Sequence, residues 1–360
     1  MTSERKNIKI KTLTPVHIGS GEVLQENFDY IRQEIDGDNF LSVINHKKVA
    51  ENLLAKKISI DKWTACLQRG DNVKYFLEQF FSEGDDSFLD RYIYLEEIPS
   101  KIPKQLREHI HDGLGRPYIP GSSIKGAIRT VILSSMLRKG QKNNNKPDDL
   151  LKTKKKDKYG NLLDYNLMQT LQISDACFEQ ESMDAINMIN LNIRENNSYQ
   201  DEKASQFVEA ITTEEESSLS MKIADTTMCP VKSIKELFAL INNHTKRIIQ
   251  NDIDFWYDYI ADDDIVGKYI DVVNEIKEKV NKVEDNSCIL RVGHANGWKF
   301  MTGDWAMGMM TVTEWNDIVR KARPGNDKKY TDYPFPKSRR INKQGKEVQL
   351  LGFVKLTIEE

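Results

Sequence analysis

Short segments with the alternation of β-strands are interleaved with helical segments along this chain, and that order constrains the fold more than any other feature. Ile8–Leu13 reads IKIKTL, an alternation of apolar and polar residues, and Phe353–Ile358 forms another strand-like segment at the end of the chain. Between them, Ser233–Gln250 and Ile265–Val280 carry the apolar spacing of helices. Because the interleaving occurs twice, it favours an α+β fold with two sandwich halves.

Local patterns predict several further elements. Asp29–Ile44 contains two strand-like runs around an Asp-Gly-Asp-Asn turn, which is typical of a hairpin. Asn45 is placed to cap a helix that runs to Leu54, and Ser59–Phe81 has helical spacing interrupted near Gly70. Pro103–His111 is predicted to be helical and to end at the Asp112-Gly113 turn.

Two more segments bear on the site. Leu171–Phe178 (LQISDACF) is predicted to be one strand, in which Asp175 has a structural role. Residues Gly140–Asn161 are rich in Asn, Lys and Asp, and we expect a mobile insertion because this composition cannot bury a core.

Charge and cysteine content narrow the class of protein. The formal net charge of −3 gives no basic balance over the whole chain, but Lys152–Lys158 and Phe335–Lys346 are locally basic. The four cysteines are far apart and contain no Cys-x-x-Cys pair, so neither a zinc site nor a disulfide framework is expected. The sequence contains neither an apolar stretch of membrane-spanning length nor a signal-peptide h-region, and we therefore expect a cytoplasmic protein without membrane contact.

The first candidate functional segment is Thr14–Gly21, TPVHIGSG. Pro15 ends the preceding strand, and Gly19 and Gly21 allow the backbone to turn tightly and to approach a ligand. His17 has three open interpretations: a phosphate contact, a partner for base stacking, or a structural histidine.

The second candidate segment is Tyr118–Thr130, YIPGSSIKGAIRT, a turn followed by the start of a helix that is expected to reach Leu137. Ser122 or Ser123 can cap this helix, while Lys125 and Arg129 lie four residues apart on one face. Amides, a hydroxyl and two cations at a helix N-terminus favour a phosphate site. An ordinary well-capped helix remains the alternative, since the segment matches neither a Walker loop nor a dinucleotide fingerprint.

The third candidate region is the C-terminal tail. Leu290–Phe300 (LRVGHANGWKF) places Gly293 and Gly297 around His294, Ala295 and Asn296. A basic cluster with Arg339 and Arg340 follows. Glycine loops beside an aromatic residue and arginines suit single-stranded RNA, which is held by backbone contacts and stacking. Two plain β-turns are the alternative.

Taken together and in this order, the three regions resemble the RAMP proteins of CRISPR systems. Within that superfamily the ISDA strand (Ile173–Ala176), GHANGW and the late PKSRR…LLGFVKL are most similar to the fifth Csm subunits of type III-A complexes. The resemblance implies two ferredoxin-like (RRM-like) halves, here residues 1–180 and 181–360. The first half then carries the insertion at about 140–161. The second carries a helical insertion at about 231–283 and the glycine-rich C-terminal loop.

The resemblance also implies a function. It implies a non-catalytic subunit without a cofactor that binds the guide RNA (crRNA, single-stranded RNA), caps the 3′ end of the complex and contributes to crRNA maturation and antiviral defence. Its partners would be the backbone and small helical Csm subunits, with maturation nucleases as further partners. The RNA-contacting residues carried over from the motifs are His17, Gly19, Ser20, Gly21, Ser122, Ser123, Lys125, Arg129, Gly293, Asn296 and Gly297, with Arg339 and Arg340 nearby. One departure is Ala295, which stands where the family loop has a second glycine, and it puts close approach of RNA at this loop in doubt.

Two enzymatic alternatives remain open at the level of sequence. A RAMP-type endoribonuclease would use His17 as a general acid or base and needs a second proton-transfer group or a cation opposite it. A metal-dependent phosphohydrolase would use His109, His111 and Asp112 in the EHIHDG segment.

Overall fold

The computed structural model describes residues 3–82, 84–95, 104–138, 147–156, 159–194, 197–257, 264–303, 312–322, 338–344 and 347–359. The strands are β1 (Glu4–Thr12), β2 (Gly19–Gln25), β3 (Tyr30–Ile35), β4 (Asp38–Ile44), β5 (Leu89–Leu95), β6 (Gln105–His109), β7 (Tyr118–Ile119), β8 (Lys152–Lys156), β9 (Leu162–Asn166), β10 (Leu171–Ile173), β11 (Ala176–Cys177), β12 (Met183–Arg194), β13 (Asn197–Ile211), β14 (Glu216–Ile223), β15 (Ser287–Arg291), β16 (Ser338–Gln344), β17 (Glu347–Gln349) and β18 (Phe353–Ile358). The α-helices are α1 (His46–Ala55), α2 (Ile60–Arg69), α3 (Val73–Phe80), α4 (Gly121–Arg138), α5 (Ile234–Tyr257), α6 (Asp264–Asn281) and α7 (Val312–Ala322).

The first sheet joins the two ends of the chain. Its strand order is β10-β14-β1-β18-β15, so that β1 lies between β14 and the last strand, β18. Ile8 of β1 is opposite Leu219 on one side and Ile358 on the other. The predicted boundary near residue 180 therefore does not coincide with a boundary between sheets, and the division into two halves stays a prediction.

The second sheet has the order β2-β6-β13-β12-β5-β4-β3, and β16 pairs with β12 and β17 beside it. Strands β12 and β13 form a long antiparallel hairpin whose register shifts between Met188 and Asn190. Strand β6 runs parallel to β13, with Leu106 opposite Phe207. This pairing brings the end of β6 beside the inner part of the hairpin, where the candidate site lies.

Helices α4 and α5 contribute to the largest core. Ile124 and Ile128 of α4 and Phe238 of α5 are fully buried in the same apolar cluster as Ile8. Burial of one such side chain contributes about 1.5–3 kcal/mol, so this cluster fixes the start of α4 relative to the first sheet. The expected α+β class is confirmed. Helices α5 and α6, which fall in the segment 231–283 that is expected to be an insertion, follow β14 and precede β15 along the chain.

Helices α1–α3 form a separate small core on the β3–β4 hairpin. Val49, Leu53 and Trp63 are buried there. The predicted helix start is confirmed, since the Asn45 side chain accepts a hydrogen bond from the amide of Lys48 at 3.1 Å. The predicted break is confirmed as well, because Gly70 ends α2 with φ +66°.

The prediction of a helix at Pro103–His111 is wrong. The described residues of this segment form β6, which pairs with β2 on one edge and with β13 on the other. Partners about a hundred residues later in the chain override the local pattern, since strand pairing depends on neighbours that a local window does not contain. The predicted turn that follows is confirmed, because the Asp112 carboxylate accepts from the amides of Leu114 and Arg116 at 2.9 Å each.

Two other expectations need correction. LQISDACF is not one strand, because β10 belongs to the first sheet whereas β11 pairs with β7 in a separate ribbon. The insertion at 140–161 is partly ordered: β8 pairs with β9, and Leu151 is 1 % exposed in the main core. Leu150 also packs against this core, and the polar composition of the segment did not indicate these contacts. Residues 139–146 and 157–158 lie outside the described residues.

Candidate functional site

A cleft of about 650 Å³ lies where the three candidate regions of the sequence meet. Its walls come from the first glycine segment, the start of α4, the C-terminal glycine loop and the first residues of β16. The lining residues are Ile18, Gly19, Ser123, Gly126, Ala127, Thr130, Gly293, His294, Ala295, Asn296, Gly297, Trp298, Phe300, Met301, Ser338, Arg339 and Arg340. The structure thus brings together segments that are separated by more than 300 residues in the chain.

The first glycine segment and the C-terminal loop are joined through their backbones. The amide of His294 donates to the carbonyl of His17 at 2.8 Å. A Cβ at Gly293 would lie 2.5 Å from that carbonyl oxygen, and Gly293 has φ +79°. Glycine is therefore required at position 293 by a contact within the protein as well as by its backbone angle.

The C-terminal loop alternates in backbone handedness. Gly293, Ala295 and Gly297 have φ of +79°, +72° and +71°, whereas His294 and Asn296 do not have positive φ. Successive amides in such alternating conformations form concave surfaces that bind anions. The left-handed conformation of Ala295 costs about 1–2 kcal/mol for an L-residue.

The start of α4 differs from the predicted cap. The helix begins at Gly121, so Ser122 and Ser123 lie inside its first turn. The Asp175 carboxylate accepts from the amide of Gly121 at 2.7 Å and so takes the position predicted for a serine. A Cβ at Gly121 would lie 2.2 Å from the carbonyl oxygen of Ile173, which explains the glycine by packing. The structural role expected for Asp175 is confirmed, although this residue is exposed.

The two faces of α4 divide the predicted residues. Ser123 lines the cleft together with Gly126 and Thr130, while Ser122, Lys125 and Arg129 are outside its lining. The Thr130 hydroxyl donates to the carbonyl of Met301 and so closes one end of the cleft. Burial lowers the pKa of Lys125, a half-buried side chain. Contact of Lys125 and Arg129 with a ligand stays a prediction.

The two arginines of β16 have different environments. Arg339 is 9 % exposed, and its Nε donates to the Asp252 carboxylate at 2.7 Å. Arg340 reaches the other side of the strand, where it donates to Gln206 Oε1 at 2.6 Å and to Nε2 of His294. Arg340 therefore holds the rim of the cleft, whereas the guanidinium of Arg339 is committed to an internal ion pair.

His294 lines the cleft, and His17 and His109 follow it in a row of neighbouring rings. The His17 ring lies 5.8 Å from that of His294 and 6.1 Å from that of His109, between ring centroids. His17 is 4 % exposed, and its Nδ1 donates to the carbonyl of Glu209 at 2.6 Å. Burial lowers the pKa of His17, and burial with the nearby Arg340 lowers the pKa of His294 to about 4. Both rings are therefore neutral near pH 7.

The remaining predicted residues of the first segment lie at the start of β2. Gly19 lines the cleft, whereas Ser20 and Gly21 are exposed on β2 outside the lining. The Ser20 hydroxyl donates to Glu108 Oε2 at 2.9 Å, which connects this segment to β6.

The metal set suggested by the sequence does not form. Both ring nitrogens of His109 are occupied, since Nδ1 accepts from the amide of Ile18 and Nε2 donates to the carbonyl of Tyr118, each at 3.1 Å. Asp112 is turned to its own loop, where it binds Arg116. In the part of the chain that is described, His111 converges instead with Glu108 and Glu209.

Several residues of the site were not found by sequence reasoning. Gln206 and Glu209 each contact a candidate residue from another segment, namely Arg340 and His17. Glu209 is 0 % exposed and pairs with the buried Arg91 at 2.8 Å. Glu209 is a charged residue within an apolar strand, which was the available indication, but its partner Arg91 is 118 positions away.

Fold and cleft define an α+β protein in which a glycine-rich cleft lies between the start of a helix and the two ends of the chain. A family model for the RAMP superfamily matches residues 9–294, and the chain belongs to this superfamily. None of the described helices combines the length and apolar character that crossing a membrane requires.

The chain is similar to the CRISPR system protein Csm5 of Streptococcus thermophilus, with 30 % identity over 140 residues, which cover 36 % of this chain and 38 % of that protein. It is 29 % identical to Csm5 of Enterococcus italicus over 145 residues, which cover 35 % of this chain and 42 % of that protein. The matches thus span about two fifths of these relatives.

Two solved structures share the fold over nearly the whole chain. One is a chain in a cryo-EM structure of a Csm–crRNA–target RNA ternary complex of a type III-A CRISPR-Cas system, with a TM-score of 0.69 and 18 % identity over 99 % of this chain and 100 % of that chain. The other is the crystal structure of T. onnurineus Csm5, with a TM-score of 0.61 and 17 % identity over 96 % of this chain and 99 % of that chain.

Proposed function

We propose that this protein is a subunit of a type III-A CRISPR effector complex and that it holds single-stranded guide RNA in the glycine-rich cleft. Membership of the RAMP superfamily and the similarity to two Csm5 proteins support the assignment to the complex. A structure with the same fold comes from a complex that contains crRNA and target RNA. The position at the 3′ end of the guide, capping the backbone subunits beside the small helical subunit, follows from the sequence resemblance.

The chemistry of the cleft is the observation that carries the RNA-binding part. Glycine backbone, the hydroxyls of Ser123 and Ser338 and the guanidinium of Arg340 line it. No acidic side chain is among its described lining residues, although the whole chain is acidic. A cleft of backbone amides, hydroxyls and cations binds phosphates and contains little that distinguishes one base from another.

Binding of purified protein to labelled guide RNAs of unrelated sequence tests this proposal. We expect affinity to fall linearly with salt concentration on logarithmic axes, because phosphate contacts release counterions. Lys125→Ala, Arg129→Ala and Arg340→Ala should each weaken binding to all guides by a similar factor. Lys47→Ala is the matched control, since this lysine lies on α1 and its side chain is 83 % exposed.

The outcome also separates the proposal from base-specific recognition. A preference for one guide sequence that persists at high salt would contradict binding through phosphates. Equal affinity of the control and of Arg340→Ala would remove the cleft from the interface, and equal affinity of the control, Lys125→Ala and Arg129→Ala would remove the basic residues of α4 that lie outside the cleft lining.

We further propose that the subunit is not catalytic, while one observation favours a test of the endoribonuclease alternative. The structure places the His294 ring 5.8 Å from that of His17 between ring centroids, and Arg340 donates to His294, so a second proton-transfer group lies near His17 as that alternative requires. The 4 % exposure of His17 and its hydrogen bond to Glu209 support a positioning role instead. Labelled guide precursor incubated with the protein should stay intact, and cleavage that is lost in His17→Ala would establish the nuclease.

The complex itself would supply the other partners. We propose a cytoplasmic location, contact with the backbone and small helical Csm subunits, and recruitment of maturation nucleases as a contribution to crRNA maturation and antiviral defence. The sequence resemblance supports these partners, and co-purification tests them.

A further inference from the structure

Three side chains with metal-binding atoms converge at the end of a row of neighbouring histidine rings that runs from His294 through His17 and His109 to His111. Glu108 comes from β6, His111 from the turn after β6, and Glu209 from β13. One ligand atom of each lies within 4.8 Å of the other two. The parallel pairing of β6 with β13 fixes Glu108 relative to Glu209, and a bridge to Pro117 fixes the backbone of His111.

His111 has a buried nitrogen without a partner. Its side chain is 10 % exposed, and Nε2 has no hydrogen-bond partner in the structure. A buried polar atom left in this way is costly and calls for an explanation, such as an ion. His111 Nε2 lies 3.5 Å from Glu209 Oε1. Two ligand atoms at about 2.1 Å from a tetrahedral zinc ion lie about 3.4 Å apart, so this separation suits a shared ion better than a direct hydrogen bond.

The charges around this group also favour a divalent cation. Arg91 contacts three carboxylates, those of Asp90, Glu108 and Glu209, at 2.9, 3.0 and 2.8 Å. One guanidinium is thus shared by three carboxylates, of which Asp90 is 39 % exposed and Glu108 is 20 % exposed. Glu209 is fully buried, where uncompensated charge is unfavourable.

The carboxylates keep room for an ion. Glu108 accepts one hydrogen bond at each oxygen, from Arg91 and from Ser20. Glu209 Oε1 accepts a hydrogen bond from Arg91, whereas Oε2 accepts from Arg91 and from the amide of His109. Each carboxylate oxygen has about two acceptor sites, so Glu108 and Glu209 Oε1 can accept these contacts and still bind a metal.

We propose that Glu108, His111 and Glu209 bind one Zn²⁺ ion. Imidazole with carboxylates suits zinc and manganese, and zinc is bound more tightly than manganese by such ligands. Water completes the tetrahedral site, while Arg91 and Ser20 orient the carboxylates from behind. The ion ties β6 to β13 and, through Ser20, to the first glycine segment. This site is independent of the proposed RNA binding.

Metal content tests the site directly. Full-length protein is stripped of metal with a chelator, desalted, incubated with Zn²⁺, Mn²⁺ or Mg²⁺ and desalted again. The bound metal is then measured by elemental mass spectrometry, and the melting temperature by thermal unfolding. We expect one zinc per chain and a raised melting temperature with zinc. His111→Ala and Glu108→Gln should weaken zinc binding by more than about tenfold.

His46→Ala is the matched control. His46 Nε2 also lies 3.5 Å from a carboxylate oxygen, that of Asp29, but this pair is outside the three-residue group. We expect this variant to keep its zinc. Circular dichroism establishes whether each variant is folded. If His111→Ala does not fold, Glu108→Gln alone tests the site. Absence of bound zinc in the wild type, or its retention in the folded variants, would overturn the proposal.

Discussion

Arg339 of β16 and Asp252 of α5 form a buried ion pair, with Nε of the arginine 2.7 Å from the carboxylate. The Tyr269 hydroxyl donates to the second oxygen of Asp252. The guanidinium also lies 5.3 Å from the ring centroid of Phe255 and 5.8 Å from that of Trp256. Arg339 thus fixes β16 to helix α5, while its neighbour Arg340 lies at the rim of the cleft.

Removal of one partner of this pair should destabilise the protein strongly. Asp252→Ala leaves the buried Arg339 charge uncompensated, and we expect the free energy of unfolding to fall by about 3–5 kcal/mol. Arg340→Ala should change stability much less but weaken RNA binding. Urea denaturation and RNA titration of both variants measure the difference. We expect the double variant Asp252→Leu with Arg339→Met to recover most of the lost stability, because apolar side chains of similar volume leave no unpaired charge. A double variant as unstable as Asp252→Ala would show that the ion pair itself is needed for stability.

A substitution at Gly126 should have opposite effects on the stability of the protein and on its affinity for RNA. It lies within α4 and lines the cleft, and a Cβ added there meets nothing within 4 Å. Gly126→Ala should therefore raise the free energy of unfolding by about 0.4–1 kcal/mol. The same methyl group would keep an RNA backbone away from the helix, so we expect weaker binding.

Gly267→Ala provides the control for this substitution. Gly267 lies within α6, where an added Cβ also meets nothing within 4 Å, and it does not line the cleft. We expect the same gain in stability with unchanged RNA affinity. Equal RNA affinity of both variants would show that the RNA does not approach α4 closely.

Substitutions in the C-terminal loop distinguish the cost of a positive φ from the cost of a steric contact with the His17 carbonyl. Ala295→Gly should stabilise the protein by about 1 kcal/mol, because φ +72° is strained for alanine. Gly297→Ala should destabilise the protein by a similar amount, because φ +71° is strained for alanine. An added Cβ at this position meets nothing within 4 Å, so the backbone angle is the whole cost. Gly293→Ala should cost more than either, because its Cβ would also meet the His17 carbonyl at 2.5 Å. Thermal unfolding of the three variants gives the order, and an equal loss at positions 293 and 297 would contradict the contact.

Acidification should destabilise the protein through His294. Burial, with Arg340, His17 and Arg107 around the ring, lowers the pKa of His294 to about 4, while an unfolded histidine has a pKa of about 6.5. The unfolded chain therefore binds more protons between these values, and stability falls as pH falls from about 6.5 towards 4. Urea midpoints at pH 7 and pH 5 measure this loss. His294→Gln should reduce the difference, and an unchanged difference would assign the pH dependence to other groups.

Local patterns predicted the elements whose causes are local. The β3–β4 hairpin and the cap at Asn45 each depend on residues within a few positions, and each is confirmed, as is the presence of helix α4 although not its predicted cap. The segments of the cleft were also recognised, because glycine and cation patterns at turns are local features. The structure adds that these segments lie together.

Contacts between distant residues explain what the sequence did not predict. Asp175 caps α4 from 54 residues away, and Arg339 finds Asp252 across 87 residues. Strand β6 was predicted to be a helix because its partner β13 lies far ahead in the chain. Periodicity contains no information on such partners, so neither the ion pair nor the converging carboxylates could be derived from it.

The most direct test of the proposed function is a pull-down of the tagged protein from its native host, with sequencing of the bound RNA and mass spectrometry of the co-purifying chains. We predict short CRISPR-derived RNAs together with the backbone and small helical Csm subunits. Gly126→Ala should recover the same protein partners with less RNA. Recovery of the folded wild-type protein without CRISPR-derived RNA or Csm subunits would contradict the assignment.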